Sequence, residues 1–212
     1  MGMTELGAEK ILPVAFYERD PPRVANSLLG KKLVRIVNGH RVIGRITETE
    51  AYGGAEDLAS HAHSGNKGRA SIMYQRPGLA YIYFIYGMYY CLNAVAHSKD
   101  QEAGAVLIRS IELLDGIQGV EEQMGKDRRY SIARGPGNLS KALYIDKRLN
   151  GADLTVAGEI FIIEGELKEN EVVSTSSRVG IKKEISRKWR FYLAGNKSVS
   201  GPAFVRAQQS TI

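Results

Sequence analysis

One run of 18 uncharged residues, LAYIYFIYGMYYCLNAVA (Leu79–Ala96), limits the folds open to this chain more than any other stretch. It is just long enough to cross a bilayer as a helix, but its content points elsewhere. Five of the eleven tyrosines fall within it, with a Gly-Met pair at its centre and an asparagine near its end. Aromatic and β-branched residues suit strands, and Gly87 offers the freedom a tight turn needs. The run therefore reads as a β-hairpin, with Tyr81–Ile85 and Tyr89–Asn93 as strands and Tyr86-Gly87-Met88 as the tip. Alternation puts Tyr81 and Tyr83 on one face, Ile82 and Phe84 on the other. Tyr86 and Met88 then project from the fold. On a solvated turn such residues are ordinary. As an apolar wedge they suit entry into a base stack, holding the gap left by a displaced nucleotide.

The rest of the chain supplies partners for that hairpin. DPPRVANSLLG (Asp20–Gly30) reads as a helix, with Asp20 as cap, prolines in the first turn and Gly30 at the end. KKLVRIV and HRVIGRITETEAY flank Asn38-Gly39, a strong hairpin signal. Residues 54–71 are polar and irregular, with room for one short helical turn. Ala103–Leu114 reads as a strand and DGIQGVEEQMGK (Asp115–Lys126) as a helix. RGPGNLSKAL reads as a Gly-Pro loop opening a short helix, and EIFIIEG, EVVSTSSRVGI and WRFYLAG as late strands. With 212 residues and no linker or repeat, the expectation is one domain over residues 1–212. Its class is mixed α/β (α+β), with a mainly antiparallel sheet.

Charge adds a candidate partner. The chain carries a net charge of +6. Eight basic residues and one acid lie between Arg178 and Arg206, so that segment is +7 and the remainder −1. A basic patch on a near-neutral body fits a polyanion; a solvated charged face fits it equally. Cys91, the single cysteine, reads as a buried inert thiol. The N-terminal residues lack the layout of a signal peptide, so the expected setting is reducing and cytoplasmic, with no membrane association.

Alternation in VIGRITETEAY places Glu48, Glu50 and Tyr52 on one face, the two acids about 6.5–7 Å apart along the strand. Like charges that close push their pKa values apart, and burial raises them further. A carboxylate poised this way suits a general base for water, with Tyr52 as an aromatic wall beside it. Alternatively both acids sit on a solvated face paired to Arg45 or to lysines. His61 and His63 lack a clear third ligand, so a metal site is not expected.

Taken in order, ETEAYGGAEDLASHAH, GLAYIYFIYGMYYCLN, AVLIRSIELLDG, RGPGNLSKAL, RVGI and WRFYLAGN resemble the alkyladenine (3-methyladenine) DNA glycosylase family, the alkylpurine-excising type of mammals and many bacteria. The resemblance spans roughly residues 13–200. It implies a single α/β domain with a protruding β-hairpin and no cofactor. By position it implies that Glu50 is the catalytic base and that Arg109 lies near the catalytic water. Tyr52, His61 and Tyr83 would stack on the flipped base, Asn93 would screen out the guanine 2-amino group, and Tyr86, with Met88, would intercalate. Arg69, Gly135, Gly137, Asn138, Arg178 and Lys182 are the expected contacts to the DNA backbone. The chain departs from the family at Asn66–Tyr74, where a Thr-Pro-Arg-Asn run is common, and at Asn138, where several members have Lys.

The implied activity is hydrolysis of the N-glycosidic bond of alkylated or deaminated purines in double-stranded DNA, by a monomer. With no matched lysine at the centre, the enzyme is expected to be monofunctional, without a Schiff base. Two rivals stand beside it: a non-catalytic damaged-DNA-binding protein of the same fold, and a carbohydrate glycosidase using Glu48 and Glu50 as its acid pair.

Overall fold

The structure is a computed structural model that describes residues 9–116 and 130–201. Helix α1 (Val14–Tyr17) is a single turn, and α2 (Pro21–Leu28) follows. The Asp20 side chain does not cap α2 as expected. Pro21 and Pro22 lack N–H groups, and the first available amide, Arg23, bonds to the Asp20 carbonyl at 2.9 Å. The Asp20 carboxylate instead accepts from Gln101 Nε2 at 2.9 Å.

Strands β1 (Lys32–Val37) and β2 (His40–Tyr52) form the expected first hairpin. Asn38 and Gly39 at its turn have φ of 49° and 79°, the left-handed pair that matches the twist of adjacent strands. The 13-residue β2 is the spine of the fold. On one side it pairs with β5 (Ala105–Asp115) along most of its length. On the other, its first half pairs with β1 and its second half with β8 (Arg190–Leu193). The uncharged run forms β3 (Ala80–Ile85) and β4 (Tyr89–Val95). With β6 (Ile160–Ile163) and β7 (Val173–Ser176), these make one eight-stranded sheet, antiparallel at every pairing. Among the described residues no helix is long and apolar enough to cross a membrane. The helix expected over Asp115–Lys126 falls, beyond β5, outside the described residues.

The sheet has two unlike faces. Ile82, Leu92, Ala94, Val106 and Ile108 point into the main core, with Leu28 of α2 and Leu139 of α3 (Pro136–Ala142) packed over them. Each fully buried side chain of this size stabilises the fold by roughly 1.5–3 kcal/mol. The alternate residues face the other way. Register aligns Tyr81 with Asn93, Asn93 with Leu107, and Leu107 with Glu50. A cross-strand row of this kind shares one face, and Tyr81, Asn93 and Leu107 of it line a cavity.

Two β-bulges break the β2–β5 ladder beside that row. Ile46 pairs with Ile111, Glu48 with Ser110 and Thr49 with Ile108, leaving Thr47 and Arg109 as extra residues. A bulge turns consecutive side chains toward the same partner. Arg109 and Ser110 accordingly both reach Glu48.

Candidate active site

The cavity on this face has a volume of about 540 Å³, room enough for a purine and its sugar. Tyr52, His61, Tyr83, Asn93 and Arg109 line it, with Tyr86 at its rim. These residues come from β2, β3, β4, β5 and the first of two 3₁₀ turns, His61–Ser64 and Gly68–Tyr74. His61 Nδ1 lies 2.7 Å from the Tyr81 hydroxyl, and its ring meets that of Tyr83 edge-on at 4.7 Å. Burial and the nearby Arg69 guanidinium hold the imidazole pKa down, which favours the neutral ring. Neither histidine pairs with the other, since His63 Nδ1 sits 2.6 Å from the Ala55 carbonyl oxygen. No group of three or more His, Cys, Asp or Glu among the described residues is placed to hold a metal. Cys91 is buried, and that burial pushes its thiol up.

The two acids of β2 are both fully buried, so the solvated alternative does not hold, and Arg45 turns instead to Glu112 and Glu171. They are not equivalent. Glu48 accepts from Arg109 Nε and Arg190 Nε at 2.8 Å each, and from Ser110 Oγ, Ser200 Oγ and the Ser200 amide at 2.7–2.9 Å. Burial opposes its charge, but two guanidiniums and these donors prevail and depress its pKa. Glu50 has fewer partners. The Val179 amide donates to Oε1 at 2.7 Å, the Tyr52 hydroxyl to Oε2 at 2.8 Å, and Arg109 Nη1 lies 3.3 Å from Oε2. Here burial outweighs the donors, and the pKa is raised. The two acids are thus displaced in opposite directions, Glu48 toward its charged form and Glu50 away from it. Glu48, saturated by donors, has no proton to give, so the acid-pair chemistry of a carbohydrate glycosidase does not fit.

At the hairpin tip, Tyr86 is 79% exposed and Met88 65%. Tyr86 has φ 53° and Gly87 φ 67°. A bulky residue in the left-handed region costs of order 1–3 kcal/mol, strain that collects at functional positions.

A model of the family described as methylpurine-DNA glycosylase matches residues 15–197. The chain belongs to this family. It is therefore a DNA glycosylase, a hydrolase of N-glycosyl bonds that acts on alkylated purines in base excision repair. Among methylpurine-DNA glycosylase relatives, a protein of Clostridium perfringens (strain SM101 / Type A) is 43% identical over 87% of this chain and 96% of its own. One from Carboxydothermus hydrogenoformans is 43% identical over 90% and 98%. One from Salinibacter ruber is 40% identical over 89% and 96%. All three are provisionally named 3-methyladenine DNA glycosylases.

Several expected DNA contacts in this glycosylase need correction. Arg178 is wholly buried, clamped to Asp57, and cannot reach a phosphate. Arg190 is likewise internal, Arg187 pairs with Glu184, and Arg206 lies outside the described residues. Among the described residues, the exposed charge of the basic segment therefore rests on Lys182, Lys183, Lys188 and Lys197. The Gly135 amide donates to Ser110 Oγ at 2.9 Å, so it is not turned outward to an anion. Gly137 packs under Tyr89, where a Cβ would come within 2.8 Å of the ring. Asn138 is exposed and donates to the Arg134 carbonyl at 2.9 Å. Arg69 is exposed at the rim, 6.0 Å from the centroid of Tyr83. Sequence reasoning missed Val179, Ser110, Ser200 and the Tyr52 hydroxyl. Two of them act through backbone amides, which leave no side-chain signal.

Proposed function

We propose that Glu50 activates the water that replaces the purine, and that the aromatic cavity holds the purine after it has flipped out of the duplex. The observation that carries this reading is a buried carboxylate with a raised pKa in direct contact with Tyr52, Arg109 and Val179, three residues that line a purine-sized aromatic cavity. As the glycosidic bond lengthens, the sugar gains positive charge and the electrons leave with the purine. Glu50 stabilises that charge and takes the proton of the water that adds to the sugar carbon. The ring sits among Tyr52, His61 and Tyr83. A cationic alkylpurine gains further from their π-faces, up to ~2 kcal/mol when desolvated. The same pocket accepts N3- and N7-alkylpurines, hypoxanthine and etheno-adducts; neutral bases require protonation before they leave.

Tyr86, with Met88, fills the gap in the stack, and Arg69 and Lys182 approach the backbone of the damaged duplex. The chain acts as a monomer with no cofactor, leaves an abasic site and forms no covalent adduct. Glu50→Gln tests the base. Excision from a 3-methyladenine duplex should be abolished while affinity for the duplex is kept. Cleavage near the parent rate would remove Glu50 from this role.

A further inference from the structure

Arg178 carries a full charge inside the protein, and its contacts converge on the reacting carboxylate. Nη1 donates to Asp57 Oδ2 at 2.5 Å and to the Ala51 carbonyl at 3.0 Å, and Nη2 to Asp57 Oδ1 at 2.8 Å. The side chains of both partners are fully buried. The guanidinium carbon lies 4.7 Å from the centroid of Tyr52 and 5.3 Å from that of Trp189. Ala51 follows Glu50 in β2. Val179, which follows Arg178, gives its amide to Glu50. The fork therefore ties three segments together around the base: the loop bearing Asp57, the end of β2, and residues 177–181, which belong to no helix or strand.

We propose that Arg178, locked by Asp57, is a positioning residue for base excision, fixing the Val179 amide on Glu50 and backing the Tyr52 ring that walls the pocket. This rests on Glu50 being the base. Fold stability alone accounts poorly for the pair. A buried ion pair contributes little net stability over apolar packing of the same volume, and here Arg178 Nε is left buried with no hydrogen-bond partner among the described residues. A planar fork is what the geometry uses. It reaches a carboxylate and a carbonyl at once while stacking on rings, which a lysine cannot do.

The clamp has a signature that a purely structural role lacks. Glu50 is faced by Arg109 from β5, by Glu48 and Tyr52 from its own strand, by Tyr83 from β3, by Cys91 from β4 and by Arg178. Arg190 of β8 lies opposite it in register but turns to Glu48. Loosening the clamp leaves the other groups in place and removes the Val179 amide, which favours the charged form of Glu50. The carboxyl then titrates at still higher pH, and the acid limb of activity moves up.

The experiment is single-turnover release of base from a duplex with one N7-methylguanine, whose cationic base needs no prior protonation. It is run across pH on the full-length parent, Arg178→Lys, Asp57→Asn and the double variant. Each single variant should lose about tenfold in rate, the worth of one hydrogen bond to a charged group. The acid limb should move to higher pH, affinity for an abasic-analogue duplex should be unchanged, and the double variant should be no slower than the slower single. An unmoved acid limb, additive losses, or a loss of DNA affinity in place of rate would overturn the inference. If Arg178→Lys does not fold, the near-isosteric Asp57→Asn carries the same test. Glu50→Gln is measured alongside. If it is inactive and the clamp variants are unshifted, only the positioning role fails; if it is active, the base assignment itself fails.

Discussion

Glu48 and Glu50 stand two residues apart on one strand face, both fully buried, with pKa values displaced in opposite directions. The difference comes from their neighbours: the bulges bring Arg109 and Ser110 to Glu48, and β8 and the segment after it bring Arg190 and Ser200. Glu48 holds Arg109, Arg190 and three serine donors, whereas Glu50 meets two donors and one guanidinium edge. Glu48 anchors Arg109, and Arg109 in turn faces Glu50.

This asymmetry predicts opposite effects on stability. Glu48 has a depressed folded pKa, so its contribution is present above the unfolded-state value and lost as pH falls through the folded one. Glu48→Gln leaves the buried Arg190 without its carboxylate and Arg109 with Glu50 alone, and should cost about 3–5 kcal/mol. Glu50 has a raised folded pKa, so the protein loses stability as pH rises from the unfolded value through the folded one. Glu50→Gln removes that loss and should unfold at higher urea than the parent at neutral pH. Urea titrations at pH 5 and pH 7.5 measure both. Equal midpoints for the two variants would contradict the assigned environments.

The Tyr52 hydroxyl donates to Glu50 Oε2 at 2.8 Å, so the pocket wall and this carboxylate are one unit. Tyr52→Phe keeps the ring and removes the donor. The expected result is a fall in kcat of about tenfold, little change in KM, and an acid limb moved to higher pH because the lost bond favoured the carboxylate. Tyr52→Leu should instead raise KM, since the stacking face is gone. A phenylalanine variant with parental kcat and pH profile would show that the hydroxyl plays no part in catalysis.

Much of this was legible in sequence, for physical reasons specific to each element. Asn38-Gly39 and the tyrosine run specify hairpins locally, through turn chemistry and strand alternation. Glu50 and Tyr52 share one face of β2, and Tyr81 and Tyr83 one face of the hairpin, because side chains alternate along a strand. What escaped was set by tertiary pairing. The bulges at Thr47 and Arg109 depend on how β2 and β5 register, which neither strand dictates alone. Counting charge between Arg178 and Arg206 treated every arginine as surface, but the partner of Arg178 lies 121 residues earlier, at Asp57. The Gly135 amide looked ready for a phosphate until Ser110, brought round by its bulge, proved to hold it.

The strain at Tyr86 separates binding from folding. Its left-handed backbone is disfavoured for a side chain by roughly 1–2 kcal/mol, and the ring makes no use of burial in the free protein. Tyr86→Gly should therefore raise the melting temperature while weakening affinity for lesion and abasic-analogue duplexes. Loss of one aromatic–base stack is worth ~1–3 kcal/mol. Single strands, which have no gap to hold, should be affected less. Equal losses on single and double strands would argue against a wedge.

We propose that Asn93 sets how the pocket treats guanine. It lies within β4, buried, in the cross-strand row that runs from Tyr81 through Leu107 to Glu50. Nδ2 donates to the Tyr81 carbonyl at 2.9 Å, so the side chain is fixed and cannot swing aside for a larger base. Adenine and hypoxanthine carry a hydrogen at the 2-position, where guanine carries an amino group. A rigid side chain beside the stacked ring would admit the first two and disfavour neutral guanine, whereas a guanine made cationic by N7-alkylation is a good enough leaving group to be released despite the obstacle. Asn93→Ser shortens the obstacle and gives up one buried hydrogen bond, about 1 kcal/mol of stability. Excision of guanine, in pairs and in mispairs, should rise relative to excision of adenine, with hypoxanthine release retained. Guanine release that stays at background in a folded variant still active on hypoxanthine would reduce Asn93 to a structural tie, its amide serving only the Tyr81 and Cys91 carbonyls.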